Sequence, residues 1–353
     1  MPSTSREDFV QRMNDAVLGS FDIASTYLGL KLGLYRSLAD EGPATPAELA
    51  RRTGTNERLV REWLEQQGAA DLLTATDEGG GEWRFGLPPE QVDVLLDPDA
   101  VDGVAGMMHS VVADLVQLPR LVESYRTGAG IPYDDYGPDE ALGQMMGSRP
   151  VYRAEIERWF AAIPELSAKL ADGSARILDI GCGFGWSSVS VARAYPGVRV
   201  DGVDLHVGSI EAARSLAETE GVTDRVTFEV RDAATLAGAD YDAALMFEMV
   251  HDLAHPVAAL RLAREAVGAD GVVLVADEPV GDAYVGPHPD ERRYYGYSVL
   301  HCLPASMTEP DSAATGTVMR PDTLRRYADE AGYASVEILP VESVAFRLYL
   351  LRP

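Results

Sequence analysis

Five short aliphatic runs follow one another from residue 175: "ARILDI", "VRVDGVD", "RVTFEV", "DAALMF" and "GVVLVA". Helical stretches such as "GSIEAARSLAETEG" and "PVAALRLAREAV" stand between them. Continuous apolar strands in that rhythm predict an α/β fold, a parallel sheet covered on both faces. The C-terminus breaks the rhythm. After the helix "RPDTLRRYADEAG", the strands "SVEILP" and "SVAFRLYLL" are joined by only a few residues. So short a link permits an antiparallel hairpin and forbids a parallel crossover.

The chain has 353 residues, enough for two domains with their own cores. No apolar run approaches the ~20 residues that span a bilayer. The N-terminus "MPSTSREDFVQRMND" lacks the basic-then-apolar layout of a signal peptide. Cys182 and Cys302 are the only cysteines, too few for a disulfide framework or a thiolate cluster. Together these predict a cytoplasmic protein without membrane attachment. The formal charge of −26 speaks against a nucleic-acid or anionic-membrane partner, which needs clustered Lys and Arg. No sequence repeat is present, and no His/Cys/carboxylate spacing resembles a zinc or iron site, so no metal is expected.

Residues 1–100 read as helices followed by a small winged unit. Ile23, Tyr27, Leu30, Leu34 and Leu38 recur at helical spacing and form one apolar stripe. Thr45 caps the next helix, with Pro46 at its first position and Glu48 three residues after the cap. Gly54 punctuates a turn before the helix "NERLVREWLEQQ", and "TATDEGGGEWRFG" reads as a β-wing around a glycine turn. Winged helices commonly bind DNA, but this segment holds nine basic and eighteen acidic side chains, a net of −9. Phosphates would repel it. It is therefore read as a dimerisation and pocket-covering domain. Residues 101–170 are expected to be a mostly helical linker, interrupted by "GAGIPYDDYGPDE", and residues 171–353 the catalytic domain.

The first strand runs into "DIGCGFGWSSVS". Gly181, Gly183 and Gly185 let the backbone approach a ligand, with a helix beginning near Ser187. A dinucleotide fingerprint needs glycine at its sixth position, where this chain has Trp186. The indole obstructs both a pyrophosphate and close helix–strand packing. Three acids point instead to S-adenosylmethionine. Asp179 precedes the first glycine and suits the cationic amine. Asp204 ends the second strand, 19 residues after Gly185, and suits the ribose hydroxyls. Asp232 ends the third and suits the adenine amino group. Leu205 and Ala233, which follow Asp204 and Asp232, are counted to the same site.

In "LDIGCGFG", "VDGVD", "RDAA" and the terminal hairpin the chain resembles the class I methyltransferases that use S-adenosylmethionine, over residues 175–353. The resemblance implies a Rossmann-like seven-stranded sheet and S-adenosylhomocysteine as product. The N-terminal winged domain is similar to that of dimeric small-molecule O-methyltransferases, implying a homodimer through that domain. The segments "EWLEQQ", "HDLAHP" and "HCLPASMTEPDSAATGTVMRPDTLRRYA" resemble a bacterial winged-helix group of such enzymes.

The segment "MVHDLAHP" resembles the "VLHDW" stretch of dimeric O-methyltransferases, whose histidine is the general base. The resemblance puts that role on His251, although Leu253 stands where the family has Trp. A histidine of ordinary pKa suits removal of a hydroxyl proton; the alternative is a residue that ties down its loop. His255 reads as an exposed turn residue. Phe247 is expected beside the sulfonium or adenine, and Glu248 near cofactor or acceptor. Residues 277–320 are too long for a bare connection and suggest a lid. Within them Tyr294, Tyr297 and His301 fall at i, i+3 and i+7, on one helix face, either lining an acceptor site or packing as core. Tyr133 and Tyr136 are candidates to cover the site from the other side.

The expectation is methyl transfer to a small acceptor, O-methylation of an aromatic or polyketide-like metabolite leading. C- or N-methylation, a non-methylating enzyme that uses the bound cofactor, and a ligand-responsive DNA-binding regulator are the alternatives.

Overall fold

Seven strands form the sheet: β3 (Arg176–Ile180), β4 (Arg199–Asp204), β5 (Val226–Val230), β6 (Tyr241–Phe247), β7 (Val267–Asp277), β8 (Ser335–Ile338) and β9 (Arg347–Arg352). The structure, a computed structural model, describes residues 5–232, 235 and 240–353. The strand order is β5-β4-β3-β6-β7-β9-β8. The first five strands are mutually parallel, whereas β9 runs antiparallel between β7 and β8. The short link before β9 leaves no length for a crossover, so the chain turns back, as the sequence requires. Strand β6 is buried along Ala243–Met246, and Leu348–Leu351 of β9 are equally enclosed. Each fully buried Leu or Val contributes roughly 1.5–3 kcal/mol.

Connections run outward from β3 through β4 to β5, then jump back to β6 on the other side of β3. Ligands bind outside the carboxyl ends of the strands at such a reversal. That edge carries the glycine turn after β3, Asp204 at the end of β4, and Phe247 with the loop after β6.

Two units divide the chain: residues 1–113 with 138–147, and residues 114–137 with 148–353. In the first, Ser5 and Asp8 form a capping box at the start of a helix, Arg6–Lys31. The predicted stripe from Ile23 to Leu38 is not one helix. Gly33 adopts φ +67, a left-handed conformation that glycine tolerates, and a second helix starts at Leu34. Leu34 and Leu38 are buried with Leu49, Leu64 and Phe85, while Ile23, Tyr27 and Leu30 are half-buried. The Thr45 capping box forms as predicted: Thr45 N–H donates to Glu48 (3.0 Å) and Glu48 N–H to Thr45 Oγ1 (3.4 Å). The wing is an antiparallel pair, β1 (Thr74–Asp77) and β2 (Trp83–Gly86). Among the described residues no helix is long and apolar enough to cross a membrane.

Candidate active site

The glycine turn holds three left-handed residues, Gly181 (φ +68), Gly183 (φ +50) and Gly185 (φ +82). They differ in purpose. A Cβ on Gly185 would lie 2.5 Å from the Phe228 ring and 2.9 Å from Ala213, so that glycine serves helix-to-sheet packing. A Cβ on Gly183 would meet nothing within 4 Å; it faces open space that a ligand can use. Gly183 N–H donates to Asp204 Oδ2 (3.0 Å), and Asp204 Oδ1 accepts from His206 N–H (2.8 Å). The Asp204 carboxylate is thus fixed in orientation at the mouth of the turn, and each oxygen keeps a further lone pair. Leu205, beside it, is 72% exposed.

Asp179 is buried. Its Oδ2 accepts from the hydroxyls of Ser187 (2.5 Å) and Ser188 (2.6 Å), joining the end of β3 to the first turn of the helix Trp186–Ala194. Burial pushes its carboxyl up to about 6, against the pull of the two serines. Asp232 is exposed, and Ala233 lies outside the described residues. Sequence reasoning missed two arginines here. Arg149 stacks over Trp186 (4.3 Å to the ring centre) and Arg153 stands 5.7 Å from it, bringing positive charge to the helix that opens at the turn. Nothing in "SRPVYR" marks a partner so distant along the chain.

The loop after β6 opens with strain: Glu248 has φ +53, and its N–H donates to Ala276 O (2.9 Å). Glu248 Oε2 accepts from the buried Tyr152 hydroxyl (3.1 Å), and burial pushes the carboxyl up to about 7. Phe247 packs against Tyr152 and Trp159, each ring centre 5.7 Å away, with Phe346 completing an aromatic cluster.

His251 is 2% exposed and surrounded by acids. Its Nδ1 lies 3.1 and 3.2 Å from the two oxygens of Asp277 and 3.3 Å from Glu278; its Nε2 lies 3.4 Å from Asp252 Oδ1. Burial alone would push the imidazole down, but Asp252, Glu278 and Asp277 outweigh it and hold it well above its usual value. Burial also drives Glu278 well above the carboxylate range, with His251 opposing. The cage therefore strengthens the imidazole as a proton acceptor. His255 is exposed as expected, paired with Glu309 (2.9 Å).

Downstream, a π-helical turn, Ser298–Cys302, interrupts the helix that begins at Pro289. The wider turn separates residues that an unbroken α-helix would align. Tyr294 is pushed up to about 12 by burial and then by the charge of Glu278, a member of the His251 cage. His301 instead pairs with buried Asp114 (3.3 Å) and packs between Tyr133 and Tyr136, at ring distances of 5.6 and 4.2 Å. Tyr297 is half-buried on the same helix. The predicted single face at 294–301 is thus split by the extra residue in the π turn. Cys302 reaches back to His251.

A family described as "Methyltransferase domain" matches residues 177–271, and "Rv2258c-like winged HTH domain" matches residues 24–95. The chain joins a winged-helix domain to a methyltransferase domain. The methyltransferase domain's relatives include a ubiquinone biosynthesis O-methyltransferase of Cereibacter sphaeroides, 32% identical over 44% of this chain and 62% of that protein. The chain thus spans about three fifths of the length of the first curated relatives it matches. Demethylspheroidene O-methyltransferase of the same species is 25% identical over 94% of this chain and 83% of its own. Two solved structures share the fold along nearly the whole chain. Mitomycin 7-O-methyltransferase MmcR matches with TM-score 0.72 and 20% identity, covering 99% of each chain. Human N-acetylserotonin methyltransferase in complex with SAM matches with TM-score 0.73 and 16% identity, covering 100% of this chain and 99% of that one.

Proposed function

We propose that the chain is an S-adenosylmethionine-dependent O-methyltransferase for a small aromatic or polyketide-like metabolite, acting as a cytoplasmic homodimer. The observation that carries this reading is the Asp277–His251 pair, set at the sheet edge beside the glycine turn. Bound S-adenosylmethionine supplies an electrophilic methyl group on a sulfonium. The residues present fit that cofactor: Gly183 leaves room beside a carboxylate already oriented for a diol. Asp204 takes the ribose hydroxyls, Asp232 and Leu205 the adenine, and Phe247 an edge of the crevice. Asp179 acts toward the amine and also fixes the helix start.

The acceptor hydroxyl gives its proton to Nε2 of neutral His251, the form that the acid cage shifts to the alkaline side of the ordinary imidazole range. Asp277 holds Nδ1–H, which sets the tautomer and the ring orientation. Asp252, Asp277 and Glu278 then stabilise the imidazolium that results. Glu248 and Tyr294 bound the acceptor's side of the cage, and the Tyr133, Tyr136 and His301 group extends it. Methylation of an already neutral amine could begin without this base, whereas a hydroxyl must lose its proton. O-methylation uses all of the cage.

The test is turnover against a panel of phenolic and polyketide metabolites, read by S-adenosylhomocysteine formation and by a one-methylene mass gain. Conversion of a metabolite with no S-adenosylhomocysteine formed and no methylene gained would overturn the reading in favour of a non-methylating enzyme.

A further inference from the structure

We infer that the fold assembles a site for a thiophilic divalent metal of the zinc class from His251 Nε2, Asp252 Oδ1 and Cys302 Sγ. The three ligand atoms lie within 4.8 Å of one another, and Nε2 stands 3.4 Å from Oδ1. In a tetrahedral site with metal–nitrogen and metal–oxygen bonds of about 2.0–2.1 Å, two such ligands stand about 3.3 Å apart. The Cys302 sulfur lies within 4.8 Å of both, and a metal–sulfur bond of about 2.3 Å allows it a longer edge than the nitrogen–oxygen pair. Imidazole, carboxylate and thiolate are the donor set of zinc and cobalt(II). Spacing along the chain conceals it, because Cys302 arrives on the π turn from a different segment.

Three surroundings support the assignment. Asp277 occupies Nδ1 with both its oxygens, so Nε2 is the nitrogen that turns to the metal once its proton has left, the arrangement that orients metal-bound histidines. Asp252 Oδ1 is buried without a hydrogen-bond partner. Thr317, 1% exposed, also has a hydroxyl without a partner by hydrogen-bond geometry, and it lies beside the Cys302 thiol, where it can donate to a thiolate. The Asp252 side chain, 27% exposed, gives the way in. Binding forms three metal–ligand bonds, and the protons of the thiol and of Nε2 leave to solvent; no electron is transferred. A fourth position stays open to water. Occupancy takes the lone pair that the base uses, so the metal suppresses methyl transfer. That consequence rests on the base reading above, whereas the site itself does not.

The test is titration of the metal-stripped full chain with Co2+, read by the near-ultraviolet thiolate-to-cobalt charge-transfer band and the visible bands of tetrahedral cobalt. The native chain should show the band at one equivalent, and Zn2+ should displace it. Cys302→Ser should lose it, and Cys182→Ala should keep it. This second variant assigns the sulfur without touching the site. Asp277→Asn should weaken cobalt binding about 10–100-fold. No band in the native chain, or a band that survives in Cys302→Ser, overturns the site. Either result leaves the methyl-transfer reading intact, since that reading is decided by S-adenosylhomocysteine formation.

Discussion

Asp277 Oδ1 lies 3.1 Å from His251 Nδ1, tying the last residue of β7 to the loop that follows β6. Both side chains are buried, so neither rotates freely, and the carboxylate sets which ring nitrogen carries the proton. Asp277→Asn keeps the shape but removes the charge that stabilises the imidazolium. It should lower kcat by about 10²–10⁴-fold, the range of a general base's contribution. Affinity for S-adenosylhomocysteine should stay close to native, because the crevice at β3 and β4 is untouched. Steady-state kinetics and calorimetry separate the two effects; equal losses in both would assign Asp277 to folding rather than to proton transfer.

Asp204 is held by two backbone N–H groups, from Gly183 and His206, so its orientation does not depend on a ligand. Such preorganisation lowers the ordering cost of binding. Asp204→Ala should weaken S-adenosylhomocysteine binding by about 10–100-fold, as expected for loss of hydrogen bonds to a charged acceptor. Isothermal calorimetry measures it directly. Unchanged affinity would place the nucleoside elsewhere.

Asp179 carries a pH signature. Its folded pKa, about 6, lies above the ordinary carboxylate value, so the folded state binds the proton more tightly than the unfolded chain. Well below the unfolded value of about 3.9 the group is neutral in both states and contributes nothing. As pH rises toward 6, the folded state loses stability, up to an order of 3 kcal/mol above that point. Asp179→Asn removes this penalty. Its stability advantage over the native chain should grow from pH 4.5 to pH 7 and then level off, as read by urea unfolding. A gap that does not change with pH would show that Ser187 and Ser188 fully compensate the buried charge.

How far the sequence alone reaches can be judged from particular residues. All seven strands were legible because β3, β6 and β9 are rich in aliphatic residues, and because the link before β9 is too short for a crossover. Thr45 and Glu48 were legible because a capping box is local. The His251 cage was only half legible. Asp252 is adjacent, but Asp277, Glu278 and Cys302 arrive through strand pairing and a π turn that no local pattern announces. Asp179 reads the same in sequence with or without the Ser187 and Ser188 hydroxyls, which reach its carboxylate only in the fold. The misread stripe at Ile23–Leu38 failed on backbone conformation, since helical spacing continues through Gly33 while the chain itself does not.

The winged unit should not bind duplex DNA. Its second helix, Glu57–Ala69, carries Arg58 and Arg61, and each is already paired within the helix, to Glu62 (2.6 Å) and Glu57 (3.3 Å). Phosphate contacts would have to break those pairs against a net negative surface. A gel shift at moderate salt should show no retardation; retardation would revive the regulator alternative.

The first four turns of the helix Arg6–Lys31 stand exposed on every side, yet Phe9, Met13, Val17 and Phe21 recur every fourth residue along one face. An isolated helix of that length is marginal in water, and a continuous apolar stripe on it marks an interface. In the homodimer proposed above, a second copy of the same helix would cover the stripe with matching spacing, and a two-fold pairing would leave no open surface to grow into fibres. Met13→Glu with Phe21→Glu should place charges inside that interface and convert the dimer to monomer, as read by light scattering on a sizing column. The sheet of the methyltransferase domain has its own core, so S-adenosylhomocysteine binding should survive in the monomer. A double variant that remains dimeric would move the interface away from this helix.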